Sequence, residues 1–241
     1  MKLTTVLGSV NLNPDYYMFI PEQIYFWNKF NINFIAVIVG EKIPLELMDL
    51  KKNIILWNKN LDINTGFVGQ NLRIYYPSLL NLPDDEMVMI TDMDMLPTND
   101  KYYKEGLEKY MQNHFIYYRH VDGNQIYMCY NAAHPKIWSK IFSIYNEQDI
   151  EKIINDTYVN NYNGIPGSIG WFKDQEILYE KLINYEYLVI LNRPIKRLEI
   201  SMHNKHLKNG DNYFIKNYDD AHYHRSFNNN KNLIENAKSQ L

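Results

Sequence analysis

The sequence predicts an α/β fold with a mostly parallel central sheet flanked by helices. Two patterns predict it. Short runs of β-forming residues alternate with longer amphipathic stretches from residue 3 onward, the signature of βαβ units. The apolar run Met87-Val88-Met89-Ile90 then passes straight into Thr91-Asp92-Met93-Asp94 and stops at Pro97, which reads as a buried strand ending in two carboxylates. A length of 241 residues suits one large domain, here 1-227, followed by a polar tail over 228-241 that is frayed or a loose helix.

Leu3 to Val10 is the first strand, opening into the polar turn Asn11 to Asp15. Tyr16 to Phe30 follows as an amphipathic helix with Phe19, Ile24, Trp27 and Phe30 near helical spacing, started or kinked by Pro21. Asn33 to Val39 is strongly strand-like, Leu45 to Leu50 a short helix and Ile54 to Trp57 a third strand. Right-handed crossovers in such a chain put the carboxyl ends of the parallel strands on one rim. Val10-Asn11, the segment after Trp57 and Asp92-Met93-Asp94 are therefore expected to share it. Gly69 to Leu80 is a helix stopped near Pro77, and its Arg73 either lies on the surface or reaches the rim to orient a carboxylate or phosphate.

Beyond the acidic pair, Asn99 to Gln112 reads as a helix with a charged, solvated face. His114 to His120 and Gln125 to Asn131 read as strands joined by a turn with Asp122-Gly123. His134-Pro135 opens a helix through about Tyr145, and Asp149 caps another through Tyr158. The glycine-containing loop Asn160 to Gly170 leads into a helix beginning near Trp171-Phe172-Lys173-Asp174-Gln175, and reads as a connector or as a lid closing on a ligand. Tyr187 to Leu191 and Arg197 to Ile200 are late strands, followed by Asp220-Ala221-His222-Tyr223-His224-Arg225.

Composition narrows the function. Net charge is -3 and pI near 6.2, so nothing draws the whole molecule to nucleic acid or an anionic membrane. No stretch reaches the length of a membrane span. The single cysteine, Cys129, excludes an internal disulfide and fits a buried core thiol in a reducing, cytoplasmic setting. Neither a G-x-G-x-x-G nor a P-loop motif occurs, so any phosphate must be held by metal and side chains.

Asp92 and Asp94, two apart at a strand end, point to one side and converge just beyond the sheet. Paired hard oxygens suit Mg²⁺ or Mn²⁺, which in turn binds phosphate oxygens. The His222-x-His224 pair is either solvated polar sequence or brings one imidazole to the same ion.

With the strand into Asp92-Met93-Asp94, the helix of Arg73, the Asp174-Gln175 pair and Asp220-Ala221-His222 with Arg225, the chain resembles glycosyltransferases of the GT-A fold. It is most like the small DXD-containing enzymes of large DNA viruses, which would place it in a host cytoplasm. The resemblance implies a nucleotide-sugar donor, most often a UDP-sugar, held through a divalent ion, and a glycan or other hydroxyl acceptor. It implies Asp94 as the main metal ligand, Asp92 at the ribose or a metal-bound water, and His222 as third ligand, with His224 in reserve. It also implies Ser9, Val10, Asn11 and Tyr16 at the nucleoside, Met93 and Arg73 in the donor site, and Asp174 facing the acceptor hydroxyl or donor sugar. The rival expectations are a nucleotidyltransferase on the same scaffold and a non-catalytic sugar- or nucleotide-binding module. The first strand's turn lacks the basic, glycine-rich loop expected of a nucleotidyltransferase.

Overall fold

A computed structural model describes residues 1–200, 214–224 and 226–241. The first half is built as the alternation predicts. Strands β1 (Lys2–Asn11), β2 (Asn33–Val39), β3 (Ile54–Trp57) and β4 (Glu86–Ile90) pair in parallel, in the order β3-β2-β1-β4. Their apolar side chains are buried on both faces, as a sheet covered on both sides requires. The sheet is extended by β6 (Phe115–Tyr117), β7 (Asn131–Ala133) and β8 (Leu188–Ile190). Here β7 runs antiparallel to β4 and β6, and β8 runs parallel to β6. One core, with Trp27, Phe34 and Tyr130, fills one face, and a second, with Trp57, Leu72 and Trp138, fills the other.

A smaller sheet stands beside it, made of β5 (Met95–Pro97), β10 (Asp220–Tyr223) and β9 (Arg197–Ile200), in the order β5-β10-β9. Strand β10 is antiparallel to β5, with His222 opposite Met95, and parallel to β9, with His222 opposite Glu199. The chain thus leaves the large sheet at the Asp92 to Asp94 turn and enters the small one directly.

Several elements differ from expectation for identifiable reasons. The helix expected over Tyr16 to Phe30 is two, α1 (Pro14–Tyr17) and α2 (Ile20–Lys29), because Pro21 in the first turn of α2 cannot continue a helix from upstream. Helix α3 (Thr65–Tyr75) begins earlier than expected, at an Asn64 cap, and runs into a short 3₁₀ turn at Pro77. The expected Asn99 to Gln112 helix is only α4 (Asp100–Lys104); Glu105 turns extended and Gly106 takes φ +75°. The Asp122-Gly123 turn forms, but β6 pairs with 131–133 rather than 125–131. Ile126, Met128, Cys129 and Tyr130 are all buried instead of alternating, so the segment packs as a loop between the cores. Helix α5 (Pro135–Phe142) is shorter than expected and ends at Ser143 in the left-handed conformation. Helix α6 (Glu147–Thr157) is capped by Asn146, and Asp149 closes a capping box from the third position. Helix α7 (Lys173–Leu182) follows the glycine loop.

The C-terminal segment is the helix α8 (Phe227–Gln240). Ile234 and Ala237 are fully buried, Phe227 sets its edge on Phe19 with ring centroids 5.1 Å apart, and Lys238 Nζ lies 2.7 Å from Glu22 Oε2. Its polar composition reflects one solvated face over an apolar stripe. No helix among the described residues is long and apolar enough to cross a membrane.

Candidate functional site

The carboxyl ends of β1 and β4 lie side by side, and the turn after β4 closes over them. Thr91 N donates to Leu7 O at 3.1 Å, which keeps the chain paired for one residue past β4. The turn is then held from beneath by Gln23 of α2. Its Nε2 lies 3.1 Å from Asp92 O, 2.8 Å from Met93 O and 2.8 Å from Met95 O, and its Oε1 accepts from Trp27 Nε1 at 2.8 Å. A buried amide satisfied on both sides fixes the backbone that carries both aspartates. Gly8 makes room above it: a Cβ there would meet Met93 Cε and Phe34 Cζ, each at 3.1 Å. The Met93 side chain is accordingly core, not ligand surface.

Asp94 is nearly buried and faces β10, where His222 Nε2 lies 3.6 Å from its Oδ2. Tyr223 N donates to Asp94 O at 2.9 Å, tying the two elements together. On its other side His222 Nδ1 sits 2.8 Å from Glu199 Oε2, and His224 Nε2 lies 3.0 Å from that same oxygen. Burial disfavours a charged His222, but the carboxylates of Asp94 and Glu199 outweigh it and lift the imidazole to about 10. Glu199 is in turn held down to about 2, chiefly by its hydrogen bond from His222. Ligand atoms of Glu199, His222 and His224 lie within 4.8 Å of one another. Octahedral coordination at 2.0–2.1 Å separates neighbouring ligands by about 3 Å and opposed ones by about 4 Å. Carboxylates and imidazoles so grouped are donors of the kind Mn²⁺ takes, although their present spread is wider than an octahedral shell.

Asp92 turns the other way, toward α3, so the two carboxylates do not converge as strand alternation predicts: β4 ends at Ile90 and both lie in the turn that follows. Arg73 ion-pairs with Asp92 and with Asp174 of α7, and the Asp174 contact is forked, with Nε 3.1 Å from Oδ2. Asp174 has no exposed surface, so it does not face an acceptor hydroxyl or donor sugar as the resemblance implies, because Arg73 draws it into the interior. Its Oδ1 accepts from Gln70 Nε2 at 3.1 Å and Gln175 N at 2.9 Å. Burial pushes this carboxyl up against the pull of Arg73, while Arg73, opposed by burial, is raised further by Asp174 and Asp92 and stays charged. Gln70 and Arg73, three apart on one face of α3, therefore join the acidic turn to the start of α7. Gln70 also bonds Trp171 O and accepts from Tyr162 OH at 2.8 Å, pinning both ends of the glycine loop. Within that loop Gly164, Gly167 and Gly170 all have positive φ, leaving Ile165 and Ile169 exposed.

At the end of β1, Ser9 Oγ bonds Gly69 O and Asn11 Nδ2 donates to Thr65 Oγ1 at 3.2 Å, so both side chains face α3. Val10 is buried core, and Tyr16 packs half-buried on that core. Gly69 permits this approach, since a Cβ there would stand 2.9 Å from Asn11 N and 3.0 Å from Val10 C. Gly69→Ala is expected to destabilise the protein by about 1–3 kcal/mol through overpacking against backbone that cannot yield, read as a lower urea midpoint at unchanged slope.

No family model matches the sequence, and no curated protein matches it at a significant level. Solved structures do resemble it in shape. A galactosyltransferase, LgtC, solved with donor and acceptor sugar analogs, superposes with a TM-score of 0.53 over 99% of this chain and 96% of its own, at 11% identity. A glycosyltransferase involved in glycosylation of the major capsid of PBCV-1 does so with a TM-score of 0.51 over 98% and 99%, at 10% identity. The chain has the GT-A fold. In this GT-A fold Asp92, Asp94, Arg73, Asp174 and His222 form one continuous cluster at the carboxyl rim, with Ser9 and Asn11 beside it on β1. Arg225 lies outside the described residues. Tyr117, Tyr118, Tyr130 and Trp138, aromatic residues with the shape to stack on a sugar, are fully buried and belong to the cores, and Cys129 is a buried thiol.

Three residues of the cluster were not singled out from sequence: Gln23, Gln70 and Glu199. A glutamine four before Trp27 on the apolar side of α2 was the available signal for the first. For Glu199 it was the alternation Arg197-Leu198-Glu199-Ile200, which puts two charges on one face of a strand.

Proposed function

We propose that the chain is a metal-dependent glycosyltransferase that moves a sugar from a nucleotide-sugar, a UDP-sugar, to a glycan or other hydroxyl acceptor. The observation that carries it is the meeting of Asp94 with His222, 3.6 Å apart, beside Asp92 at the carboxyl rim of a GT-A sheet. Open α/β sheets collect their ligands at that rim.

In this reading Asp94 and His222 would hold Mn²⁺ or Mg²⁺ directly, and Asp92, turned toward Arg73, would reach the ion through a bound water or meet the ribose. When bound, the ion supplies a Lewis acid for the departing diphosphate. Ser9 and Asn11, with the backbone of Val10, border the nucleoside, and Tyr16 closes its far side. Arg73 fixes the rotamer of Asp92 and adds positive charge near the diphosphate. Asp174, buried and held on both oxygens, acts on the reaction by orienting Arg73. The loop over 162–170 excludes water and so limits donor hydrolysis.

Thermal unfolding against a panel of nucleotide-sugars, each with Mn²⁺ and with EDTA, tests this. A donor at about 100 times its Kd adds roughly 2.7 kcal/mol, a rise of roughly 5–11 °C for a chain this size. The expected result is a rise with one nucleotide-sugar that EDTA abolishes. No rise with any of them, from folded protein, overturns the proposal in favour of a module that binds glycan alone.

A further inference from the structure

The proposed metal site leaves one arrangement unused: a carboxylate between two histidines on the side of His222 away from Asp94. Glu199 and His222 are direct cross-strand partners on β9 and β10, and two residues back Arg197 and Asp220 form a second such pair on the same face. That second pair is rigid. Arg197 Nε lies 2.8 Å from Asp220 Oδ1, its Nη2 2.6 Å from Oδ2, and Tyr130 OH donates to Oδ2 at 2.7 Å. Glu199 is thus presented from an anchored strand.

The two nitrogens of an imidazole point away from each other, so a group bonded to one cannot share an ion in the ring plane with the other. His222 Nδ1 is 2.8 Å from Glu199 Oε2, and Nε2 faces Asp94. With Nδ1 carrying a proton toward Glu199, release of the Nε2 proton as an ion binds opens a lone pair on the Asp94 side, the state a metal ligand needs. His224, more exposed, places its Nε2 3.0 Å from the same Glu199 oxygen, and the two rings lie with centroids 3.8 Å apart. His224 therefore holds the same carboxylate oxygen that His222 Nδ1 contacts.

We infer that Glu199 is a positioning residue: it fixes the tautomer and orientation of His222 so that Nε2 of His222, not of His224, meets the ion beside Asp94. This rests on the metal site proposed above. The competing arrangement is an ion held by Glu199, His222 Nδ1 and His224 with no part for Asp94.

The test is Mn²⁺ affinity, read from the EPR signal of free Mn²⁺ in the presence of UDP, for the whole chain and its variants. Glu199→Ala is expected to weaken Mn²⁺ binding roughly 10–100-fold, the usual loss when a histidine ligand's carboxylate partner is removed. Glu199→Gln, which still accepts from Nδ1–H, should recover part of that loss and keeps the test readable if the alanine variant does not fold. Because Glu199 acts through His222, the double variant Glu199→Ala/His222→Ala should bind no more weakly than His222→Ala alone. Losses that add in the double variant, or an unchanged affinity in Glu199→Ala and Glu199→Gln while Asp94→Ala is weakened, overturn the inference and leave the metal site standing. Unchanged affinity in Asp94→Ala overturns the site itself, and weaker binding in His224→Ala than in His222→Ala selects the competing arrangement.

Discussion

Asp94→Ala is expected to lower turnover about a thousandfold and to abolish the metal-dependent part of donor binding. Removing one preorganised stabiliser of a developing anion costs about 10²–10³ in rate in other enzymes. Here the carboxylate is proposed to hold the ion itself, so the upper end applies. The fold should survive. The contacts that shape the turn run through backbone, with Gln23 on the carbonyls of Asp92, Met93 and Met95 and Tyr223 N on the carbonyl of Asp94, and alanine keeps all of them. The side chain's approach to His222, at 3.6 Å, contributes about 1–2 kcal/mol. The decisive comparison is single-turnover sugar transfer together with donor binding in Mn²⁺ and in EDTA. A variant that transfers sugar at the native rate refutes metal-dependent transfer through Asp94. A native protein that binds glycan and transfers nothing, with Asp94→Ala binding equally well, identifies a binding module instead.

The parallel half of the sheet was legible in sequence because a helical segment separates each of its strands from the next and the pattern is local. Leu3 to Val10, Asn33 to Val39 and Ile54 to Trp57 are strands within a residue or two of where they were expected. The small sheet was not legible as a sheet. It pairs Met95 with His222, and a three-residue strand carries no periodicity of its own that could announce so distant a partner. The segment 125–131 misled for the opposite reason: both sides of it are buried, so neither a helical nor an alternating pattern survives. In the site, Asp92 and Asp94 were visible because two carboxylates at the end of an apolar run are a local signal. Asp174 and His222 entered through the order of motifs along the chain, and the structure places both within the cluster. Glu199 and Gln23 have meaning only through residues dozens of positions away. That His222 lies beside Asp94 likewise depends on the pairing of β10 with β5 and β9, which no local pattern announces.

Arg73→Met carries the largest expected effect on stability. Its partner Asp174 has no exposed surface, and apart from Arg73 that carboxylate is held by a side-chain amide at 3.1 Å and the amide N–H of Gln175. Removing one member of a buried pair leaves an uncompensated charge, which costs about 3–5 kcal/mol. That corresponds to a fall in Tm of roughly 6–20 °C at the size of this chain. Arg73→Lys should fall between, because an ammonium keeps the charge but cannot fork onto Asp174 while reaching Asp92. The double variant Arg73→Met/Asp174→Leu separates two roles that the single variant confounds. With both charges gone the buried site is apolar, and at least half of the lost stability should return. Asp92 would then lose the guanidinium that fixes its rotamer, so transfer should remain far below native even in the restabilised protein. A loss under about 1 kcal/mol in Arg73→Met would mean that Asp174 is comfortable without its partner, through solvent or a proton. Recovery of transfer alongside stability in the double variant would mean that the link from Arg73 to Asp92 serves only to hold the fold.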